Sequence, residues 1–220
     1  METLEEFRGA ILAQVTSDDK EVLAEYLKHF YVDLEKFSES MASALLNWRG
    51  LDSSLKNDER CSYISALIYT TITLEILSMK LLLTGYTVAA GNLFRQVIET
   101  LSLALLCSGK HLGILDRFME NKYSSQDAIR DIIRHSKQLG LKGEGVRQLG
   151  KLQKFYSKYS HPTALTIAIG MSFRTKSAYF GGSFDELKLD AYCKEIKVRV
   201  GLANDLPDLI DHARKNIAEW

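Results

Sequence analysis

A histidine surrounded by hydroxyl groups lies directly before one of the two prolines of the chain, in the stretch KFYSKYSHPT (154–163). Because a residue that precedes proline disfavours the helical conformation, we expect a helix to end near Ser160 or His161. In the simpler interpretation, His161 is a helix cap that bonds the last carbonyl groups. The hydroxyls of Tyr156, Ser157 and Ser160 favour a second interpretation, in which His161 is a general acid–base.

A second set of polar side chains recurs at helical spacing in GNLFRQVIET (91–100). Asn92, Arg95, Gln96 and Glu99 follow the pattern i, i+3, i+4, i+7, which places them on one face of a helix. The neighbouring residues are apolar, so this face borders a core or a cleft, where Arg95 and Glu99 must be paired. The pair is either a structural link between helices or part of a pocket that positions an anion or a base.

A third segment, RDIIRH (130–135), carries Arg130, Asp131 and His135 at the R-polar-x-x-x-H spacing used by metal-independent ribonucleases of the HEPN class. Arg130, Arg134, Ser136 and Lys137 also fit the solvated face of an amphipathic helix, opposite Ile129, Ile132 and Ile133. We favour the solvated helix face, because this short spacing is a weak signal by itself.

Composition and the remaining motifs narrow the functional classes. Lysine plus arginine equals aspartate plus glutamate, 28 of each, so the chain lacks the overall basic charge typical of nucleic-acid binders, although a local basic patch stays open. The histidines are scattered without metal-ligand spacing, and GVRQLGKL (145–152) has Leu152 where a P-loop needs serine or threonine. We therefore expect no metal and no cofactor.

Cysteine usage and the apolar region bear on the compartment. Cys61, Cys107 and Cys193 are far apart and form no C-x-x-C motif, which favours free thiols in a reducing compartment. The N-terminal METLEEFRGAIL lacks the basic-then-apolar order of a signal peptide. The apolar region 61–107 contains charges such as Glu75 that would be costly in lipid. We expect a cytoplasmic protein that makes no membrane contact.

The elements that must position these residues are helices. In the segment before Gly50, apolar residues alternate spacings of four and three over more than three heptads, which predicts a long helix that ends at this glycine. The members of this seam are Leu23, Leu27, Phe30, Leu34, Phe37, Met41, Ala44 and Trp48. Such a seam is either a dimer contact or the face of a bundle helix that lies on its neighbours.

Two apolar helices follow, one from about residue 61 to 83 and one from about Thr87 to Cys107. The short Thr84-Gly85 connection makes them antiparallel neighbours at the centre of a bundle. Residues 163–182 alternate only weakly and contain Gly-Gly, which is typical of an irregular segment or a short β-hairpin.

The predicted fold is thus an all-α, antiparallel helical bundle with one short irregular or β-hairpin insert near residues 163–182. We expect a single domain over residues 1–220. In it, N-terminal helices within residues 1–50 pack on, or extend, a core bundle of residues 58–218.

The segments GNLFRQVIET and YSKYSHPT, followed by a glycine-containing flap and a last helix that opens with SFDELKLD, resemble a group of bacterial all-helical proteins of unknown function. This group is similar to the HEPN superfamily, and the resemblance covers roughly residues 60–215. It implies a helical bundle that is often dimeric. Many HEPN proteins are ribonuclease toxins of toxin–antitoxin or phage-defence systems, and others are non-catalytic binding modules.

Under this resemblance, His161 takes the place of the final histidine of the HEPN motif, and Ser157 takes that of its polar residue. The motif arginine falls on Tyr156, which departs from the pattern. Because that arginine contributes phosphate recognition, Arg95 would have to supply the missing guanidinium from a neighbouring helix.

Two hypotheses follow. In the first, the protein is a metal-independent ribonuclease in which His161 is the acid–base, Arg95 holds the phosphate and Glu99 orients Arg95. In the second, it is a non-enzymatic, dimeric module that binds a partner protein or a small ligand. In both we expect a homodimer, with RNA or a partner protein as the bound molecule. The residues expected to line the binding site are Asn92, Gln96, Tyr156, Ser157 and Ser160.

Overall fold

The computed structural model describes residues 3–55 and 58–220, and these residues form an all-α structure, as predicted. Within the two described ranges no β-strand forms. The helices found there are α1 (Leu4–Val15), α2 (Lys20–Ser54), α3 (Glu59–Leu83), α4 (Thr87–Ser108), α5 (Ile114–Met119), α6 (Ser125–His135), α7 (Gly143–Tyr156), α8 (Ala164–Ile169) and α9 (Leu189–Ala218). Short 3₁₀ turns lie at Lys110–Leu112, Ser157–Ser160 and Glu186–Lys188.

The hairpin of α3 and α4 forms the centre of the bundle. Its turn passes through Gly85, whose φ of +84° lies in the left-handed region. A Cβ atom at Gly85 would also collide with the backbone of Ser183. The turn therefore requires glycine both for its backbone conformation and for the close contact with Ser183. The fully buried residues of the hairpin include Ile64, Ile68, Ile72, Leu82, Phe94, Val97, Ile98, Leu101 and Leu105.

Among the described helices, only α3 is long and apolar enough to cross a bilayer. One side of α3 packs on α2, α4 and α9, and the buried Glu75 lies on that side. A core helix of a folded bundle has this combination of an apolar sequence and tertiary contacts, so α3 is an element of the bundle core.

The heptad-like seam of α2 is buried inside the chain. α2 packs along α9 and α3, and the seam residues Phe30, Phe37, Met41 and Ala44 are buried in these contacts. The seam is therefore the face of a bundle helix, which was the second of its two interpretations. A dimer, if formed, must use another surface.

α2 does not end at Gly50, as the pattern predicted, but continues to Ser54. Leu51, three residues beyond Trp48, is fully buried and extends the same seam. Burial of a leucine contributes about 1.5–3 kcal/mol, whereas a glycine inside a helix costs roughly 1 kcal/mol. Packing therefore carries the helix past the glycine.

α1 is a short N-terminal helix with little packing. It begins with a capping box, in which Glu6 N donates to Thr3 Oγ1 at 3.3 Å and Thr3 N donates to Glu6 Oε2 at 2.6 Å. Near its end, Gln14 Nε2 donates to Tyr86 Oη at 2.7 Å, which ties α1 to the α3–α4 turn. Its larger apolar residues are exposed: Leu4, Phe7, Ile11, Leu12 and Val15.

Residues 163–182 contain a short helix and an irregular loop, and not a β-hairpin. Thr166 N donates to Thr163 Oγ1 at 3.2 Å, so Thr163 caps α8 where the alternating pattern predicted a strand. Farther on, a single antiparallel bridge joins Met171 and Ala178, and it extends into no strand in the described part of the chain. Of the two predicted alternatives, the irregular insert describes the segment.

Candidate functional site

The polar stripe of α4 forms a set of linked hydrogen bonds with α7 and the turn after it. Arg95 Nε donates to Glu99 Oε1 at 2.8 Å, and Gln153 Nε2 donates to the same oxygen at 3.1 Å. Arg95 Nη1 donates to Ser160 Oγ at 2.8 Å, and Ser160 Oγ donates to Asn92 Oδ1, also at 2.8 Å. We call these five residues the Arg95 cluster.

The Arg95 cluster lies at the edge of the bundle, where part of it meets solvent. The Arg95 side chain keeps 17% of its area exposed, and the Glu99 side chain keeps 9%. A guanidinium has five N–H donors, and the bonds to Glu99 and Ser160 occupy two of them. The remaining donors are available to an added acceptor such as a phosphate oxygen.

His161 follows the Arg95 cluster directly in the chain. The 3₁₀ turn ends at Ser160, and His161 is extended, with φ of −135° and ψ of 154°, as expected before Pro162. The residue is exposed, and its ring forms no hydrogen bond or ion pair with any described residue. The ring is therefore free to contact a bound molecule beside the cluster.

A shallow pocket of about 370 Å³ opens at His161. Ser160 belongs both to this pocket and to the Arg95 cluster, so the two features share one hydroxyl group. Most of the pocket wall is apolar. Its lining residues are Val88, Tyr159, Ser160, His161, Pro162, Thr166 and Ile167.

Three of the residues predicted to line the site lie outside the cluster. Gln96 is exposed on α4 and bonds none of the cluster residues. Ser157 Oγ donates to the backbone oxygen of Gln153 at 2.8 Å, as a hydroxyl on a helix commonly does. Tyr156 is buried and donates from its hydroxyl to Glu195 Oε2 at 2.8 Å, on the opposite side of the helix.

The change from α to 3₁₀ geometry at Ser157 separates these side chains. With three residues per turn, side chains at i and i+3 lie above one another. Tyr156 and Tyr159 therefore both face α9, where both hydroxyls donate to Glu195. Ser160 falls on a different side and reaches Arg95. An α-helical count through this segment would have placed Tyr156 and Ser160 together.

A second and more deeply buried set of polar groups lies behind the first. Glu195 accepts from the Tyr156 hydroxyl at 2.8 Å, from the Tyr159 hydroxyl at 2.9 Å and from Arg199 Nη1 at 2.7 Å. Arg199 Nε also donates to Ser78 Oγ at 2.9 Å. We call these five residues the Glu195 network. Burial and the Glu195 charge raise the pKa of both tyrosines well above the usual range.

Arg199 is the largest side chain with no exposed area. Its guanidinium carbon lies 4.7 Å from the centre of the Phe94 ring and 5.8 Å from that of the Tyr156 ring. The carboxylate neutralises the charge of the guanidinium and accepts from its N–H donors, and the aromatic rings cover its faces, so the group is stabilised inside the protein. The Glu195 network is thus built to hold helices together, and its member Tyr159 also lines the His161 pocket.

Glu75 lies in the same interior region, on α3. Neither of its carboxyl oxygens has a hydrogen-bond partner among the described residues, and the same is true of Tyr26 Oη and Arg199 Nη2. Burial raises the pKa of Glu75 to about 8, although the charge of Arg199 acts in the opposite direction. Glu75 is therefore largely protonated at neutral pH.

Sequence reasoning missed the Glu195 network, although a signal for it was present. Glu195 and Arg199 are spaced i, i+4 with the apolar Ile196 and Val200 beside them, which is the same spacing that pointed to Arg95 and Glu99 on α4. For Gln153, the fifth member of the Arg95 cluster, no spacing rule applied, because its contact joins two helices.

The RDIIRH segment lies on α6, where Arg130 and Asp131 bond to each other and His135 bonds to Gln138. Arg130 Nε donates to Asp131 Oδ1 at 3.1 Å, and Tyr123 Oη donates to Asp131 Oδ2, also at 3.1 Å. His135 Nδ1 lies 2.6 Å from Gln138 Oε1. The Arg130 side chain is 63% exposed, which agrees with a solvated helix face.

In residues 3–55 and 58–220, no three histidine, cysteine, aspartate or glutamate side chains are grouped as a metal ion would require. The chain matches no protein-family model, no curated protein and no solved structure. The functional argument therefore depends on the geometry of the Arg95 cluster and His161.

Proposed function

We propose that the protein is a HEPN-like, metal-independent ribonuclease whose site consists of the Arg95 cluster and His161. The observation that carries this proposal is the position of Ser160. Its hydroxyl joins Arg95 to Asn92, and the next residue in the chain is His161, which is exposed. Phosphodiester cleavage without a metal requires a cation for the phosphate and an acid–base group, and Ser160 links the Arg95 guanidinium to the pocket that His161 lines.

In this proposal, Arg95 binds the phosphate through the donors that Glu99 and Ser160 leave unused. His161 takes the proton of the ribose 2′-hydroxyl as this oxygen attacks the phosphorus. The bond from phosphorus to the 5′-oxygen breaks, and the same imidazole returns the proton to the leaving oxygen. The products are a 2′,3′-cyclic phosphate and a free 5′-hydroxyl, so no outside reactant is needed.

Glu99 and Gln153 act as positioning residues in this scheme. Glu99 holds Arg95 Nε at 2.8 Å, and Gln153 fixes the same carboxyl oxygen from α7. A guanidinium that is held on one side loses less conformational entropy when a phosphate binds on the other. This arrangement supports a role for Arg95 as the replacement for the motif arginine, whose position is occupied by Tyr156 in this chain.

The test is cleavage of a single-stranded RNA in the presence of EDTA by the wild type, by His161→Ala and by the control His111→Ala, which changes another exposed histidine. We expect cleavage by the wild type and by the control, and at least about a 100-fold loss in His161→Ala, which is the typical contribution of an acid–base group. Equal cleavage by all three proteins, or none by any, would refute the ribonuclease proposal.

A second candidate function is a non-enzymatic module that binds a protein segment or a small ligand at the His161 pocket. It is favoured by the apolar wall of the pocket, in which Ile167 is 62% exposed, and by the neutralisation of Arg95 by Glu99. In a thermal-shift screen, ligands of this pocket should raise the melting temperature of the wild type but not that of Ile167→Asp. No RNA cleavage should accompany this binding.

The resemblance to HEPN proteins extends the proposal to a biological setting, namely an effector of a toxin–antitoxin or phage-defence system in the cytoplasm. The three cysteines are free, with Cys61 and Cys107 buried and Cys193 half-buried, and free thiols suit a reducing compartment. Expression of the wild type in a bacterial host should slow growth, and expression of His161→Ala should not.

A further inference from the structure

The positive charge of this chain is concentrated in one stretch. From Gly145 to Phe184 there is no aspartate and no glutamate, although acidic and basic residues are equal in number over the whole sequence. The basic residues of the same stretch are all exposed: Arg147, Lys151, Lys154, Lys158, Arg174 and Lys176. A neutral chain with its cations gathered in one region has a local electrostatic footprint for an anionic partner.

Most of these cations lie on one face of α7 and of the 3₁₀ turn that follows it. They recur at spacings of four, three and four residues, which is the pattern of a single helix face. We call them the α7 stripe: Arg147, Lys151, Lys154 and Lys158. The other side of α7, with Val146, Leu149 and Tyr156, is buried. The stripe therefore points to solvent.

The α7 stripe differs from the other charged helix surfaces. On α2, Lys28 pairs with Glu25 at 2.6 Å, and on α9, Arg214 pairs with Asp211 at 2.9 Å. No stripe residue forms an ion pair with a described residue. The acid of α7, Glu144, lies in its first turn, ahead of the stripe. The stripe cations are thus available to a bound anion.

An exposed aromatic ring lies beside the stripe. Phe155 is 40% exposed, and Lys158 Nζ lies 5.7 Å from the centre of its ring. On the interior side, the Tyr156 ring contacts Phe155 edge-on, with the ring centres 5.1 Å apart. Single-stranded nucleic acids bind to this combination of groups, because their bases stack on the ring and their phosphates pair with the cations.

The stripe leads towards the site described above. α7 also carries Gln153, which bonds Glu99 of the Arg95 cluster, and Lys158 comes three residues before His161. From Arg147 to Lys158 the stripe is about 16 Å long, at about 1.5 Å per helical residue. A stacked strand has one phosphate per roughly 3.4 Å, so the stripe matches about five nucleotides.

A lipid surface fits the stripe less well than a nucleic-acid strand does. A helix that lies on a membrane inserts its apolar face among the lipids. The apolar face of α7 is already packed on α4 and α6. A single row of cations instead matches the linear charge of a strand.

We propose that the α7 stripe binds the phosphate backbone of single-stranded RNA, with Phe155 stacked on a base, and that the strand continues into the His161 pocket. This surface deepens the proposed ribonuclease function and rests on it for the identity of the strand as RNA. Binding is independent of sequence, because neither the phosphates nor the stacking face of a base identify the sequence.

The first test measures the binding of a fluorescein-labelled, 2′-O-methylated oligouridylate, which lacks the 2′-hydroxyl needed for cleavage. Fluorescence anisotropy gives the affinity between roughly 50 and 200 mM salt. The variant is Lys151→Gln/Lys154→Gln/Lys158→Gln. Each phosphate contact contributes about 0.7 to the slope of log affinity against log salt, so the slope should fall by about 2. The affinity at about 0.1 M salt should fall by about 100-fold.

The matched control is Lys36→Gln/Lys194→Gln/Lys197→Gln, which removes the same charge from exposed lysines of α2 and α9. Because salt screens charges beyond about 10 Å, the control should change the affinity by less than about three-fold and leave the slope unchanged. Circular dichroism checks that both triple variants are folded.

Phe155→Leu tests the stacking contact separately from the charge. It should weaken the binding of the oligouridylate by about 10-fold, because a base loses its aromatic partner. The salt slope should stay that of the wild type, since a stacking contact releases no counterion. An affinity equal to that of the wild type would overturn the role of Phe155.

Three results would overturn the stripe. The first is a wild type that does not bind the oligouridylate at about 50 mM salt. The second is a stripe variant that binds as tightly as the control variant. The third is a wild type that binds vesicles containing phosphatidylserine through the stripe lysines and does not bind the oligouridylate, because the stripe would then be a membrane contact.

Cleavage of RNA in EDTA separates this proposal from the ribonuclease proposal. If the oligouridylate binds through the stripe and no RNA is cleaved, the stripe is supported and the ribonuclease proposal fails. If the stripe variant and the control variant cleave dilute RNA at the same rate, the ribonuclease proposal stands and the stripe fails.

Discussion

Two arginine–glutamate pairs in this bundle have the same spacing but different surroundings. On α4, Arg95 Nε lies 2.8 Å from Glu99 Oε1, and on α9, Arg199 Nη1 lies 2.7 Å from Glu195 Oε2. In each pair the two residues are four positions apart, about one helical turn. The Arg95 side chain is 17% exposed, whereas that of Arg199 has no exposed area. The i, i+4 spacing predicts that the residues pair, but it does not predict what the pair does.

The neighbours of each pair account for the difference. Arg199 is stacked on Phe94, and two tyrosine hydroxyls donate hydrogen bonds to the Glu195 carboxylate. The pair is therefore part of a buried hydrogen-bond network that joins helices. Arg95 is bonded to Ser160, whose chain neighbour His161 is exposed. The first pair serves stability, and the second retains donors at a surface where a ligand can bind.

The largest effect that tests this comparison is on stability. Arg199→Met leaves Glu195 charged and buried without its cation, so we expect a loss of about 3–5 kcal/mol in the free energy of unfolding. Arg95→Met, the matched change at the edge of the bundle, should cost at most about 1 kcal/mol, since water can solvate Glu99. Urea denaturation measures both values. Equal losses in the two variants would contradict the separate roles of the pairs.

Gly91 offers a second way to disturb the Glu195 network. A Cβ atom at this position would collide with the ring of Tyr159, whose hydroxyl is held by Glu195 at 2.9 Å. Because the ring cannot move without losing this bond, Gly91→Ala should destabilise the protein by about 1–3 kcal/mol.

The control for this change is Gly201→Ala on α9, where a Cβ atom meets nothing within 4 Å. It should instead stabilise the protein by up to about 1 kcal/mol, because alanine favours the helix more than glycine does. A Gly91→Ala protein as stable as the Gly201→Ala protein would show that the contact with Tyr159 is not close-packed.

The sequence predicted elements and local pairs better than it predicted contacts between helices. The α3–α4 hairpin follows from two apolar runs and Gly85, and the Arg95–Glu99 bond follows from their spacing on one helix. The positions of Tyr156 and Ser160 could not be predicted in this way, because the change to 3₁₀ geometry at Ser157 rotates each residue after it.

The insert near residue 163 shows a second limit. Its weak alternation of apolar residues suggested a strand, but the capping box of Thr163 and Thr166 starts α8 instead. For Gly50, propensity suggested a helix end, whereas burial of Leu51 extends α2 beyond it. In both places, a local contact or a buried side chain outweighs a pattern of a few residues.

A pH-dependent effect is expected from Glu75, whose pKa burial raises to about 8. In the folded state Glu75 stays protonated at pH values at which it is already ionised in the unfolded chain. Stability from this group is therefore full below about pH 4 and falls as the pH rises towards 8. Relative to Glu75→Gln, the wild type should lose about 1 kcal/mol per pH unit between pH 5 and 7. Parallel pH profiles of the two proteins would contradict a buried, protonated Glu75.

The central claim is that the Arg95 pair serves chemistry and the Arg199 pair serves the fold. The most direct test measures RNA cleavage by Arg95→Met in EDTA, together with its free energy of unfolding. The account predicts a cleavage rate at least about 100-fold below that of the wild type, with stability within about 1 kcal/mol of it. A folded Arg95→Met protein that cleaves RNA at the wild-type rate would contradict the account.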